Sequence, residues 1–342
     1  MSDTTHTQAN ARRGLVIPAV LFFAGAAVGI AGGYTFALSG NTGVTFGEDL
    51  YQQHQYKFIN PLLACNATDA VTSAEFRPLE SELKSAIQRL AEGSGATVSL
   101  YFKELNSGHQ TAINENTRYA PASLLKVPIM MAFYKIAEFK PEILARTLTY
   151  AGSVDLNLEE NFMPDRFIQP GKTYTVAELI EYMVIDSDNN AMMLLREVID
   201  ELALNEVFID LGLTVPTVGD DPDFINVKNY SRFFRVLYHA TYLSRESSEK
   251  ALELLTRDKP FKGIVGGVPS DVTVAQKFGE RGFVTSSGDV TDRELHDCGI
   301  VYDPDGPYLL CVMTKGRASF EKLTDIIRKI STVVYEYRRR GA

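Results

Sequence analysis

Three residues after Ser123 comes Lys126, at the start of an apolar run that opens Pro121-Ala122-Ser123-Leu124-Leu125-Lys126-Val127-Pro128. Positions i and i+3 share a helix face, so the lysine amine can lie near the serine hydroxyl and act as the base that takes its proton. A lysine does this only in its neutral form, which requires burial and a second cation to lower its pKa. The second cation is sought in Lys277, within Lys277-Phe278-Gly279, and between the two stretches lies Ser187-Asp188-Asn189. Alone, each pattern has an ordinary reading: a helix-start serine, an N-cap cluster and a solvated strand lysine. Together, in this order, they suit one shared active site around a serine nucleophile. A helix N-terminus at Ser123 favours the negative charge that develops there.

The set Ser-x-x-Lys, Ser-Asp-Asn and Lys-x-Gly resembles the signature of class A β-lactamases and penicillin-binding proteins. The flanking text from Gln169 through Ile180, and Asn190-Ala191 after the second pattern, is similar as well. The resemblance extends from about residue 73 to the end of the chain. It implies Ser123 as nucleophile, Lys126 as base and Ser187 as relay of a proton to the departing nitrogen. It further implies Asn189 as partner of the acyl side chain and Lys277 as positive potential for a substrate carboxylate. The oxyanion would rest on the backbone N–H groups of Ser123 and of Glu280, the residue after Gly279. A β-lactam or a D-alanyl cell-wall peptide is the implied substrate, with no cofactor.

Two positions depart from the family pattern. Phe278 stands where the family has a hydroxyl that helps hold the substrate carboxylate, and Arg281, Thr285 or Ser286 are the available substitutes. The glutamate that activates the hydrolytic water in class A enzymes has no counterpart in residues 218–226. Asp223 and Asn226 imitate its spacing, against the plainer reading of a surface turn around Asp-Pro. A missing base implies a persistent acyl-enzyme. The alternatives are a D,D-peptidase or transpeptidase-like enzyme, or a catalytically weak peptidoglycan-binding module of the same fold.

The elements that must position these groups follow from periodicity. Leu79, Leu83, Ile87 and Leu90 mark a helix over 73–90, and alternation from Thr97 with a turn at 106–109 marks two antiparallel strands. Thr175 and Glu178 form a capping box that opens a helix, which places Ser187 to Asn189 in the break before a helix over 191–202. Further helices are expected over 228–242 and 246–257, strands near 272–279, 295–302 and 308–314, and a closing helix over 319–338. Strands at both ends enclosing helices imply an α+β fold with an antiparallel sheet packed with helices.

The remaining composition narrows the class. A net charge of −9 with no basic stripe argues against nucleic acid. Histidines and cysteines lack metal-ligand spacing, so no metal is expected. Residues 14–38 carry no charge, follow Arg12-Arg13 and are long enough to cross a bilayer. The reading is a cytoplasmic tail over 1–13, a single-pass signal anchor over 14–38, a stalk over 39–72 and an extracytoplasmic domain over 73–342. A signal peptide cleaved near Ala37-Leu38-Ser39 is the alternative. Pairing Tyr302 with Tyr308 in the last hairpin sets Cys298 opposite Val312, on the other face from Cys311. Cys65, Cys298 and Cys311 are therefore expected as free thiols.

Overall fold

A computed structural model describes residues 56–61 and 73–341, except 159, 217–218, 220, 259–260 and 285–289. Helix α1 (Arg77–Ala91) starts on a proline in its first turn and buries Leu79, Leu83 and Ala86. Strands β1 (Thr97–Glu104) and β2 (Gln110–Ile113) follow as an antiparallel pair. A 3₁₀ turn over Ala122–Leu125 leads into α2 (Lys126–Ala137), buried on nearly all sides. Short strands β3 (Thr147–Thr149) and β4 (Thr173–Thr175) pair with each other and bracket a long loop. Helices α3 (Val176–Ile185), α4 (Asn189–Val198), α5 (Glu201–Asp210), α6 (Val227–Tyr238) and α7 (Arg245–Leu255) come next. The chain closes with β5 (Thr273–Val284), β6 (Val290–Tyr302), β7 (Tyr308–Gly316) and α8 (Phe320–Gly341).

The main sheet runs β2-β1-β7-β6-β5, antiparallel throughout. Successive side chains on a strand point to opposite faces, so the sheet serves two cores. Leu100, Phe102, Leu310 and Val312 pack with Leu79 and Leu83 of α1 and with Leu323, Ile326 and Ile330 of α8. Tyr101, Ile300, Cys311 and Met313 pack with α2, α3 and α6 through Met130, Phe133, Leu179 and Phe234. The layers are thus a helix pair, a sheet and a helical block. Two details differ from the periodicity reading. The helix expected over 191–202 is two helices, because Asp200 caps a new one with its carboxylate on Leu202 N at 2.9 Å.

The second difference is covalent. Cys298 and Cys311 are joined in a disulfide, which corrects the expectation of free thiols. The hairpin pairs Val301 with Tyr308, one residue from the assumed register, and so sets Cys298 opposite Cys311 with Cα atoms 4.0 Å apart. A one-residue slip moves every side chain to the other face, which is why the error in register became an error in chemistry. Cys65 lies outside the described residues.

The anchor expected over 14–38 also lies outside the described residues. Among those that are described, no helix is long and apolar enough to cross a membrane. Residues 56–61, inside the expected stalk, are docked on the domain: Phe58 and Ile59 are buried in the helical-side core. Their backbone is gripped by Glu249 on α7, whose carboxylate accepts Lys57 N at 2.6 Å, Phe58 N at 2.9 Å and Ile59 N at 3.0 Å.

Glu249→Ala strips three backbone donors of their acceptor, and a loss of about 1–3 kcal/mol is expected in urea unfolding; an unchanged midpoint would show that the grip is incidental. Alkylation of the denatured protein should modify Cys298 and Cys311 only after reduction. Modification of both beforehand would refute the disulfide.

Candidate active site

The turn that carries Ser123, the expected nucleophile, is held from three sides. Ala122, just before Ser123, adopts φ 49°, a left-handed conformation unusual for a residue with a Cβ. Ala120 is clamped at both backbone atoms: its N–H donates to Glu294 Oε2 at 3.1 Å and its carbonyl oxygen lies 2.9 Å from His296 Nε2. Strand β5 then closes against the turn at Gly279. A Cβ there would sit 2.7 Å from Pro121 O and 3.0 Å from Leu124 N, so only glycine lets strand and turn approach this closely.

Lys126 is fully buried and makes three hydrogen bonds, all to the 187–189 bend. Its Nζ donates to Ser187 O at 2.5 Å, Ser187 Oγ at 3.0 Å and Asn189 Oδ1 at 2.7 Å. The expected contact from Lys126 to Ser123 is thus replaced, in this state, by contacts to Ser187 and Asn189. Burial, and after it the Lys277 ammonium, pushes the Lys126 amine down to about 7, against the pull of Glu160, Asp188 and Asp258. This is the second cation that the sequence called for.

The bend owes its shape to Asp188. Its carboxylate caps α4 on Asn190 N at 2.8 Å and also accepts Asn157 Nδ2 at 2.9 Å and Ile168 N at 2.7 Å. Asn157 Oδ1 in turn accepts Asn189 N at 2.8 Å. Ser187 is left at φ 59°, a second strained position at the site.

Lys277 lies on β5, fully buried, with Nζ 3.4 Å from Asp258 Oδ1. Burial raises Asp258 to about 6, opposed by Lys277. The lysine is placed to influence Lys126, while its expected contact with a substrate carboxylate faces competition from Asp258. Phe278, on the opposite face of the strand, packs into the core: its ring stacks on Phe261 at 5.1 Å and meets Phe162 edge-on at 5.8 Å. Of the substitutes for the missing hydroxyl, Arg281 lines the cleft, and Thr285 and Ser286 lie outside the described residues.

The cleft itself has a volume of about 490 Å³, and Ser123, Asn189, Glu160, Glu280, Arg281 and Phe224 are among its lining residues. Asp223 and Asn226 do not act as the imitation base and its partner. Asp223 is ion-paired to Lys315, which also reaches Glu294 at 2.9 Å, and Asn226 caps α6 through Asn229 N at 2.8 Å. Sequence reasoning missed Asp258, Glu160 and the side chain of Glu280. None stands in a recognisable pattern, since Asp258 and Glu160 come from connecting segments far along the chain from the groups they meet. Among the described residues no group of histidine, cysteine and carboxylate side chains is arranged to hold a metal ion.

The chain matches the profile of the β-lactamase enzyme family over residues 82–338. Its fold is similar to PBP-A, at 23% identity and a TM-score of 0.63 over 77% of this chain and 97% of that one. A substituted form of PBP-A, solved as an acyl-enzyme complex with penicillin G, matches equally well. A β-lactamase from Xanthomonas campestris aligns at 18% identity and a TM-score of 0.63 over 78% and 99% of the two chains. The TLA-3 extended-spectrum β-lactamase aligns at 18% and 0.63 over 75% and 98%. A comparison with curated protein sequences found no match.

A base is active once it has lost its proton. With Lys126 at about 7, the rate at which an acylating probe modifies Ser123 should rise roughly tenfold per pH unit on the acid side and level off above that point. An inflection near the ordinary lysine value of 10.5 would remove Lys126 from the role of base.

Proposed function

Because the chain belongs to the β-lactamase enzyme family, we propose that it is a serine acyl-transferring hydrolase that attacks the amide of a β-lactam or a D-alanyl cell-wall peptide through Ser123. The observation that carries this reading is the convergence of Lys126, Ser187 and Asn189 in one hydrogen-bonded cluster, with Ser123 and Asn189 on the same cleft. Neutral Lys126 takes the Ser123 proton as Oγ bonds to the carbonyl carbon. The oxyanion is met by the backbone N–H groups of Ser123 and Glu280. When the C–N bond breaks, the proton passes from Lys126 through the Ser187 hydroxyl, 3.0 Å away, to the leaving nitrogen. Ser123 is left as an ester.

Deacylation is the slow half of this cycle. The carboxylate nearest in sequence to the family's loop glutamate, Asp223, is engaged by Lys315, and nothing else in that loop replaces it among the described residues. This favours penicillin-binding or peptidase-like behaviour over rapid antibiotic destruction. A binding module with weak catalysis is the second reading, supported by the hydrogen bonds of Lys126 to the bend in place of Ser123. The chain is further proposed to be held by a single-pass anchor over 14–38 with its domain extracytoplasmic, where a disulfide such as Cys298–Cys311 persists.

Intact mass followed over time after penicillin exposure reads acylation and its reversal together. A stable adduct on the wild type, absent from Ser123→Ala, is expected. No adduct, or an equal adduct on the variant, rejects the acyl-enzyme reading, and loss of the adduct within seconds rejects slow deacylation. Turnover of a chromogenic cephalosporin above the Ser123→Ala background discards the binding module.

A further inference from the structure

The acyl-transfer steps above leave two carboxyl groups in the cleft unused. Glu160, half-buried on the loop between β3 and β4, accepts Asn189 Nδ2 at 2.5 Å. Glu280, on β5, is buried and accepts the Phe162 backbone N–H at 2.7 Å. Both side chains line the cleft, and burial first, then the neighbouring Glu160, raises Glu280 to about 8. Glu280 is therefore the carboxyl that resists ionising at neutral pH, because burial disfavours its charged form.

Asn189 is fully engaged by the loop and by Lys126. Its Nδ2 also reaches Leu156 O at 3.3 Å, and its Oδ1 receives Lys126. A substrate whose acyl side chain brings only a carbonyl must displace Glu160 from this amide, whereas one that brings an ammonium meets an acceptor already in place. Arg281 lines the same cleft and supplies the opposite sign.

We propose that the Glu160–Glu280 pair is a specificity subsite that selects substrates carrying an ammonium group on the acyl side chain, with Arg281 receiving their carboxylate. This deepens the acyl-enzyme reading and rests on it for the position of the acyl group. The ligand class is therefore zwitterionic, an amide flanked by an amine on one side and a carboxylate on the other.

The test uses three penicillins whose acyl side chains carry an ammonium, no charge or a carboxylate. Second-order acylation of the wild type should fall in that order, by on the order of tenfold per step. The double variant Glu160→Gln/Glu280→Gln, which removes both carboxyls, should bring the three rates within about twofold of one another. If the change at the buried Glu280 does not fold, Glu160→Lys on the loop carries the comparison and should reverse the preference between the ammonium and carboxylate side chains. Equal wild-type rates, a preference for the anionic side chain, or an unchanged ranking in the variants would overturn the proposal. Calorimetric binding of the same three compounds to Ser123→Ala reads the ranking without the covalent step. The expected order there, with no acylation of the wild type, rejects the acyl-enzyme reading and upholds the subsite. Equal binding alongside wild-type acylation does the reverse, and no binding with no acylation rejects both.

Discussion

The burial of one ammonium group organises the site. Lys126 is fully buried, so its N–H donors must find acceptors within the protein, and the three they find lie on the bend between α3 and α4. That requirement draws the helix after Ser123 and the loop between two other helices into one place. The same burial that forces this arrangement lowers the affinity of the amine for its proton. Structure and reactivity therefore share a cause: a more exposed lysine would be easier to accommodate and would be a poorer base at neutral pH.

Much of this was legible in the sequence because it is local. The capping box at Thr175 and Glu178, the apolar face of α3 and the turn residues around Ser187 each announce themselves within a few positions, and Thr175 and Glu178 do cap reciprocally. The identity of the second cation was legible through order along the chain, from the pattern around Lys277. What escaped was set by register and by long loops. Periodicity says that two strands pair but leaves the register to the geometry of the turn, and a shift by one residue separates a disulfide from two isolated thiols. Glu160 and Asp258 reach the site from segments without regular structure, where spacing carries no information about direction. The docking of Phe58 and Ile59 was hidden by the polar composition of the stretch around them.

The support of the nucleophile turn extends well beyond the motifs. Glu294 and His296 on β6 hold Ala120, and Glu294 is itself held by Lys315 on β7, which also binds Asp223 in the loop before α6. The loop whose Pro222 and Phe224 line the cleft and the backbone leading to Ser123 are thus joined by one polar chain, partly exposed at Lys315 and Asp223 and buried at Glu294 and His296. Asp223, whose spacing suggested chemistry, turns out to serve this framework.

Phe278 has a consequence that reaches across the cleft. Its ring and that of Phe261 receive Phe162, which belongs to the same loop as Glu160 and whose backbone holds Glu280. At position 278 the strand thus carries an anchor that moors the facing wall. An aromatic mooring of this sort fixes how wide the entrance stands before anything arrives. Recognition then depends less on a hand that closes than on a doorway already cut to size.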